Sequence, residues 1–263
     1  MAARDGRIIA AENEVRVLRA LYRFGWLRTR DLGALAWKIW SRSASGEPTL
    51  KAPVATASGL RMAQRTLRRL VDARQVLRGQ APDGSVIYAL SEAGARRLQQ
   101  TGVPAKSGKD LIRSFSTGQF RHRSIANEIA ISSIIAGFRV STEREIAQDR
   151  WLGGTDGIAG KKPDVLLRAD KRVYWVEVER SRKNVKDYAK LLKWLKLVAV
   201  DAAGESKLLG DGQLWMKVVF VCTSAFEARL RRDLLATGYK KSVLDTLIRF
   251  ETSLYRFEDI AFS

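Results

Sequence analysis

Apolar residues recur with a helical period over residues 12–24, where Val15, Leu18, Leu21 and Tyr22 share a face and Gly25 ends the run. Thr29 is placed to cap a short second helix, RDLGALAWKIW. Residues 41–57 are small, polar and Pro-containing, and read as a loop. Ser58 precedes a third helical run, GLRMAQRTLRRLVDAR, with Leu60, Ala63, Leu67, Leu70 and Val71 as its inward stripe. VLRGQ and SVIYAL then flank Pro82-Asp83-Gly84, a turn signature between two strands. Residues 91–94 open a last helix of this part. Helices followed by a hairpin predict a winged helix-turn-helix over residues 1–105.

The pattern changes after a polar Gly/Pro/Lys/Ser stretch, taken as a linker over residues 106–118. Residues 119–263 alternate helical and extended periods. Helices are predicted at 120–137, 184–200 and 225–237. Strands are predicted near 139–146, 164–168, 173–179 and 217–223, and the tail 247–262 alternates weakly and fits either state. The fold class expected is α+β, with the winged helix followed by an α/β domain.

Charge adds a partner to this picture. The 263 residues carry 47 Lys and Arg against 28 Asp and Glu, a net of +19, which favours a polyanion. The excess is denser at the start, with 18 basic against 8 acidic residues in 1–105. A membrane surface is the competitor, but no apolar run approaches the roughly 18 residues of a spanning helix. The N-terminus does not read as a signal peptide, and the chain is expected to be cytoplasmic. One cysteine, Cys222, and one histidine, His122, exclude an internal disulfide, a thiolate zinc cage and a multi-histidine site. Cys222 reads as a small buried residue. His122 reads as structural or phosphate-contacting.

On the third helix, Arg61, Gln64, Arg65 and Arg68 lie at i, i+3, i+4 and i+7, opposite the apolar stripe. Arginine forks onto guanine edges or phosphates and glutamine addresses adenine, so this face suits double-stranded DNA. Arg78, near the wing, suits the phosphate backbone. Lys186, Lys190 and Lys193 share one face of the 184–200 helix and suit a phosphate track or a solvated surface.

The stretch KKPDVLLRADKRVYWVEVERSRK (161–183) holds the sharpest chemistry. Glu177 and Glu179 are two apart on a strand and so project on one side. Asp164 is 13 residues before Glu177, which spans two paired strands and the turn at Asp170. Hard oxygen ligands in this arrangement suit Mg2+ or Mn2+ activating a water on a phosphodiester. Tyr174 is out of phase with Glu177 and faces away.

These residues resemble the PD-(D/E)xK nuclease superfamily. More narrowly, VIYALSEAGARRL, FRHRSIANEIAI, KPDVLL and VEVERSRKNVKDYAKLL resemble the replication-relaxation family, to which MobC-type plasmid mobilisation relaxases are related. The resemblance implies a winged helix joined to a nuclease-like domain. It implies Asp164 and Glu177 as metal ligands, with Glu128, or else Glu143 or Glu145, as a further acid. The superfamily's lysine position is Glu179 here, so Lys183 or Lys190 would supply the positive charge. Tyr188 would be the nucleophile of a covalent relaxase, or else a packing residue of its helix.

The function expected is nicking of one DNA strand at an origin-type site in plasmid or integrative-element mobilisation, conjugation or replication. Partner proteins of those processes are implied, and a homodimer is compatible. Two alternatives stand beside it: a non-catalytic DNA-binding accessory factor or repressor with a degenerate nuclease fold, and a restriction-type or repair endonuclease.

Overall fold

The computed structural model describes residues 5–113, 116–179, 184–204, 206–210 and 212–252. They form a mixed α+β chain with two sheets, in two compact units. The first comprises residues 5–41 and 52–135. The second comprises residues 42–51 and those after 135. Among the described residues no helix is long and apolar enough to cross a membrane.

The first unit begins with α1 (Gly6–Phe24), capped by the Asp5 side chain, which accepts from Arg7 N. Gly25, at φ 83°, donates its N–H to Leu21 O and ends the helix. The short strand β1 (Trp26–Arg28) follows, then α2 (Thr29–Trp37). Thr29 is the first helical residue rather than the expected cap. Asp31 serves instead, accepting from Arg28 N at 2.9 Å. α3 (Ala57–Asp72) starts from Thr56, whose hydroxyl accepts from Gly59 N at 3.0 Å. It buries Ala63, Thr66, Leu67 and Leu70. A Cβ on Gly59 would stand 2.8 Å from Gly33 O, so α2 and α3 meet backbone to backbone.

β2 (Val76–Gln80) and β3 (Val86–Leu90) form the expected hairpin, and Gly84 takes the positive φ (76°) its turn needs. β1 pairs with β3 on the other side, giving an antiparallel sheet in the order β1-β3-β2. The sequence had offered only two strands, because three residues are too few to show a period. α4 (Glu92–Gln99), capped by Ser91, follows.

The division between the units falls after Ile135, not at 106–118. The stretch read as a linker contains α5 (Lys109–Arg113), whose Leu111 and Ile112 pack with Trp26, Ile87, Ala89 and Phe120. α6 (Thr117–Ile135) is also part of this unit. Its Phe120 stacks on Trp26, with ring centroids 5.2 Å apart, and Asn127 Nδ2 donates to Trp26 O. Polar composition marked a surface path here, but Leu111 and Ile112 anchor the segment to the first core.

The second unit is a five-stranded sheet in the order β4-β5-β6-β7-β8. β4 (Arg139–Ser141), β5 (Val165–Ala169) and β6 (Arg172–Glu179) are antiparallel neighbours. β7 (Leu214–Cys222) and β8 (Ile248–Glu251) continue the sheet in parallel. The expected strand at 139–146 stops after three residues. Thr142 and Glu145 form a reciprocal capping box and start α7 (Glu143–Ala147) instead. Parallel pairing needs a crossover, which α8 (Val185–Ala202) supplies between β6 and β7. α9 (Ser224–Ala236) and α10 (Lys241–Leu247) lead to β8.

Alternate β6 residues decide where this core lies. Val173 and Trp175 pack with Leu191, Trp194, Leu195 and Val198 of α8, together with Trp215, Val218 and Phe220 of β7. Trp175 is fully buried and lies 4.6 Å from the Trp194 ring centroid. Glu177 and Glu179 follow Trp175 at period two, so both acids leave the strand on this same side. Residues 42–51 form no helix or strand, yet Leu50 is buried and Glu47 pairs with Arg249 at 3.1 Å.

Candidate functional site

The β5–β6 hairpin brings the two predicted acids together. Val165 faces Val176 in the ladder, so Asp164 and Glu177 are one step further along and on one face. Asp164 extends the pairing twice: its N–H donates to Val176 O, and its Oδ2 accepts from Val178 N at 2.7 Å. Both Glu177 and Glu179 are buried, at 5% and 6% exposure.

Glu177 is enclosed by donors. Trp175 Nε1 donates to its Oε1, and Lys161 Nζ stands 2.6 Å from its Oε2. Burial pushes this carboxyl up to about 7, against the opposing charge and hydrogen bond of Lys161 and with the negative charges of Asp164 and Glu179 adding to the rise. Among the described residues Lys161 thus brings a positive charge to the acids. Of the expected lysines, Lys190 is exposed on α8 beside Asp187, and Lys183 lies outside the described residues.

The loop before β5 holds Lys161 in position. Ile158 and Lys161 pair as an isolated antiparallel bridge, and Trp194 Nε1 donates to Ile158 O at 2.9 Å. Gly157 sits at φ 75°, where a Cβ would come within 2.5 Å of Lys161 O. The Lys161 ammonium lies 5.8 Å and 5.5 Å from the ring centroids of Trp175 and Trp194, within cation–π range. Sequence reasoning passed over this lysine although it stands three residues before Asp164. The available signal was a Gly-rich turn aimed back at the strand.

The remaining predicted residues are placed elsewhere. Glu128 belongs to the first unit, where it is buried and accepts from Arg28 Nη2 and, at 2.9 Å, from Arg30 Nη2. Its carboxylate joins an ion-pair network with Arg28 and Asp31. Burial opposes the charge of Arg28, but Asp31 and Glu128 outweigh it and raise its pKa further. Of the alternative acids, Glu145 caps α7 and Glu143 stands beside it. His122 is half-buried on α6, in the first unit.

Tyr188 packs into the α8 face of the core. Its hydroxyl donates to Asp233 Oδ2 at 2.9 Å, and the Arg229 guanidinium lies 3.9 Å from its ring centroid. Burial, then Asp233, push its pKa up to about 12, so the phenolate a covalent relaxase needs is disfavoured. Tyr174 is on the opposite side of β6 and bonds Gly46 O. Cys222 is buried and pushed up to about 12 by burial, with Glu227 and Glu179 adding to it.

The donor set also answers whether Mg2+ or Mn2+ fits. Both Glu177 oxygens already accept from protein donors, and an ammonium stands where a cation would bind. Among the described residues no group of three or more His, Cys, Asp or Glu is arranged to hold a metal ion. As placed, these residues do not fit one, and no chemical step is assigned through a metal.

The basic faces are open. Arg61, Gln64, Arg65 and Arg68 are all exposed on α3, and among the described residues none of the three arginines makes an ion pair. Their neighbour Arg69, by contrast, is tied to Glu14 at 3.0 Å. Arg78 is exposed on β2, and Lys186, Lys190 and Lys193 are exposed on α8. Compared with family models, curated proteins and solved structures, the chain has no significant match.

Proposed function

We propose that this protein binds duplex DNA through the exposed face of α3, and that its C-terminal unit holds the nuclease-like acids in a closed, non-catalytic form. The observation that carries the first half is the exposed Arg61, Gln64, Arg65, Arg68 stripe, whose arginines make no ion pair among the described residues, standing opposite the buried face of the same helix. Three helices and a sheet in the order β1-β3-β2 support a winged-helix reading, with α3 as the recognition helix and the β2–β3 hairpin as the wing. The second half rests on Glu177, whose charge is met internally by Lys161 and Trp175. By resemblance, the setting is an accessory or repressor role in plasmid or integrative-element mobilisation or replication. Selection of duplexes from a random pool tests it: enrichment of one sequence is expected, and no enrichment would overturn sequence-specific binding.

A second reading, nicking of one strand, is favoured by one observation. Asp164 and Glu179 both act electrostatically on Glu177, with a lysine beside it. That chemistry requires Lys161 to release Glu177. Supercoiled plasmid incubated with Mg2+ or Mn2+ separates the readings. Persistent supercoils are expected here, whereas nicking abolished by Asp164→Ala and Glu177→Ala would establish the catalytic one.

A further inference from the structure

In the N-terminal unit, one side of α1 and the end of α2 enclose a groove of about 780 Å³. We propose that it receives an amphipathic helix from a partner protein, one that presents apolar anchors at helical spacing flanked by Asp and Glu.

The floor is formed by Phe24, Leu35 and Ala36, all buried, and offers no side-chain polar group to orient a small molecule. Its walls are Ile8, Val15 and Trp40. Ile8 is 55% exposed and Trp40 47% exposed, and adjoining Ile39 is 94% exposed. Large apolar side chains grouped this way mark an interaction surface. An elongated apolar groove of this kind suits the helix-in-groove mode, in which residues at i, i+3 or i+4 and i+7 are the anchors.

The rim selects the partner's charge. Arg16, Arg19 and Arg23 line the groove against one acid, Glu12. Arg16 is held in place by donating to Ala36 O at 2.8 Å. A second copy docked about a two-fold axis would set these arginines against themselves, which like-charge repulsion opposes. Duplex DNA would complement the rim's net positive charge and leave the apolar floor uncovered. An acidic amphipathic helix complements both. This inference is independent of the DNA-binding proposal, because it uses α1 and α2 rather than the exposed face of α3.

The test is a displayed library of helical peptides, with apolar residues fixed at i, i+3 and i+7 and all other positions random, selected against the full chain. Enriched peptides are expected to be rich in Asp and Glu. The tightest should lose about tenfold or more in affinity to Arg19→Glu and to Trp40→Ala, as loss of a charge-complementary or anchoring contact implies. Both are solvent-accessible positions, and unchanged thermal melting confirms that each variant folds. No enrichment, or binding indifferent to both substitutions, overturns the proposal. A concentration-dependent dimer lost in Trp40→Ala would assign the groove to a second copy instead. Weakened DNA binding by Arg19→Glu without peptide enrichment would assign it to nucleic acid.

Discussion

Lys161 Nζ stands 2.6 Å from Glu177 Oε2, so one buried acid of the KPD…VEVE pattern carries its counter-charge from a preceding loop. Removing one member of a buried pair leaves the other uncompensated, at roughly 3–5 kcal/mol for full burial. Lys161 keeps some solvent contact, so Lys161→Met should destabilise by about 2–4 kcal/mol in urea unfolding on the alkaline side of neutrality, where Glu177 is ionised in the wild type. Adding Glu177→Gln should recover most of that loss. A double variant as unstable as the single would show that the pair is not the source.

The same acid sets a pH dependence. Its carboxyl is raised from 4.5 to about 7 in the folded protein, so the folded state binds the proton more tightly than the unfolded chain. Its contribution to stability is therefore full below about 4.5 and declines as pH rises towards 7. Thermal melts from pH 4.5 to 7 should show that decline superimposed on the other groups. In Glu177→Gln this component should vanish, and an identical profile in both proteins would contradict the assignment.

Glu128→Ala should destabilise the chain by about 2–4 kcal/mol, because Arg28 remains buried with Asp31 as its remaining acid partner. Glu128→Gln, which keeps an acceptor, should cost less. Melting of the wild type in EDTA and in Mg2+ should coincide. A metal-dependent shift abolished by Glu128→Ala would restore Glu128 as a ligand.

For the DNA-binding face, Arg61→Ala with Arg65→Ala should weaken duplex binding and reduce the slope of log K against log salt by about 2, one unit for each lost phosphate contact. If either arginine reads a base, the slope changes by less and discrimination between sequences falls instead. Fluorescence anisotropy on the selected duplex between 50 and 200 mM salt, a range over which phosphate contacts are strongly expressed, measures both. Unchanged affinity would remove α3 from the interface.

Much of this arrangement is legible in local pattern. α3 shows in the spacing of Leu67 and Leu70, and α8 in that of Leu192 and Leu195, although its buried face is completed by Leu191 and Val198. The β2–β3 hairpin shows in Pro82-Asp83-Gly84, and the shared face of Asp164 and Glu177 follows from period-two strands. Other features depend on contacts distant in sequence. β1 is three residues long and exists because β3 offers it an edge. α6 joined the first unit through Phe120 on Trp26, a contact no composition shift announces. α7, by contrast, replaced a strand through the local pair Thr142 and Glu145, a capping signature that alternating apolar positions obscured. Lys161 was hidden by distance: its role depends on Trp194 fixing Ile158 of the same loop from 36 residues away.

The approach of Gly59 to Gly33 has a consequence for how recognition could diversify. Neither residue belongs to the exposed arginine stripe, yet their backbone contact helps fix the angle at which α3 leaves α2. A side chain at 59 would have to pry the two helices apart and re-aim Arg61, Gln64, Arg65 and Arg68 together. Under the DNA-binding proposal, target preference can then change by hinge rather than by alphabet: one substitution outside the arginine stripe would shift the whole reading head without altering a letter of it.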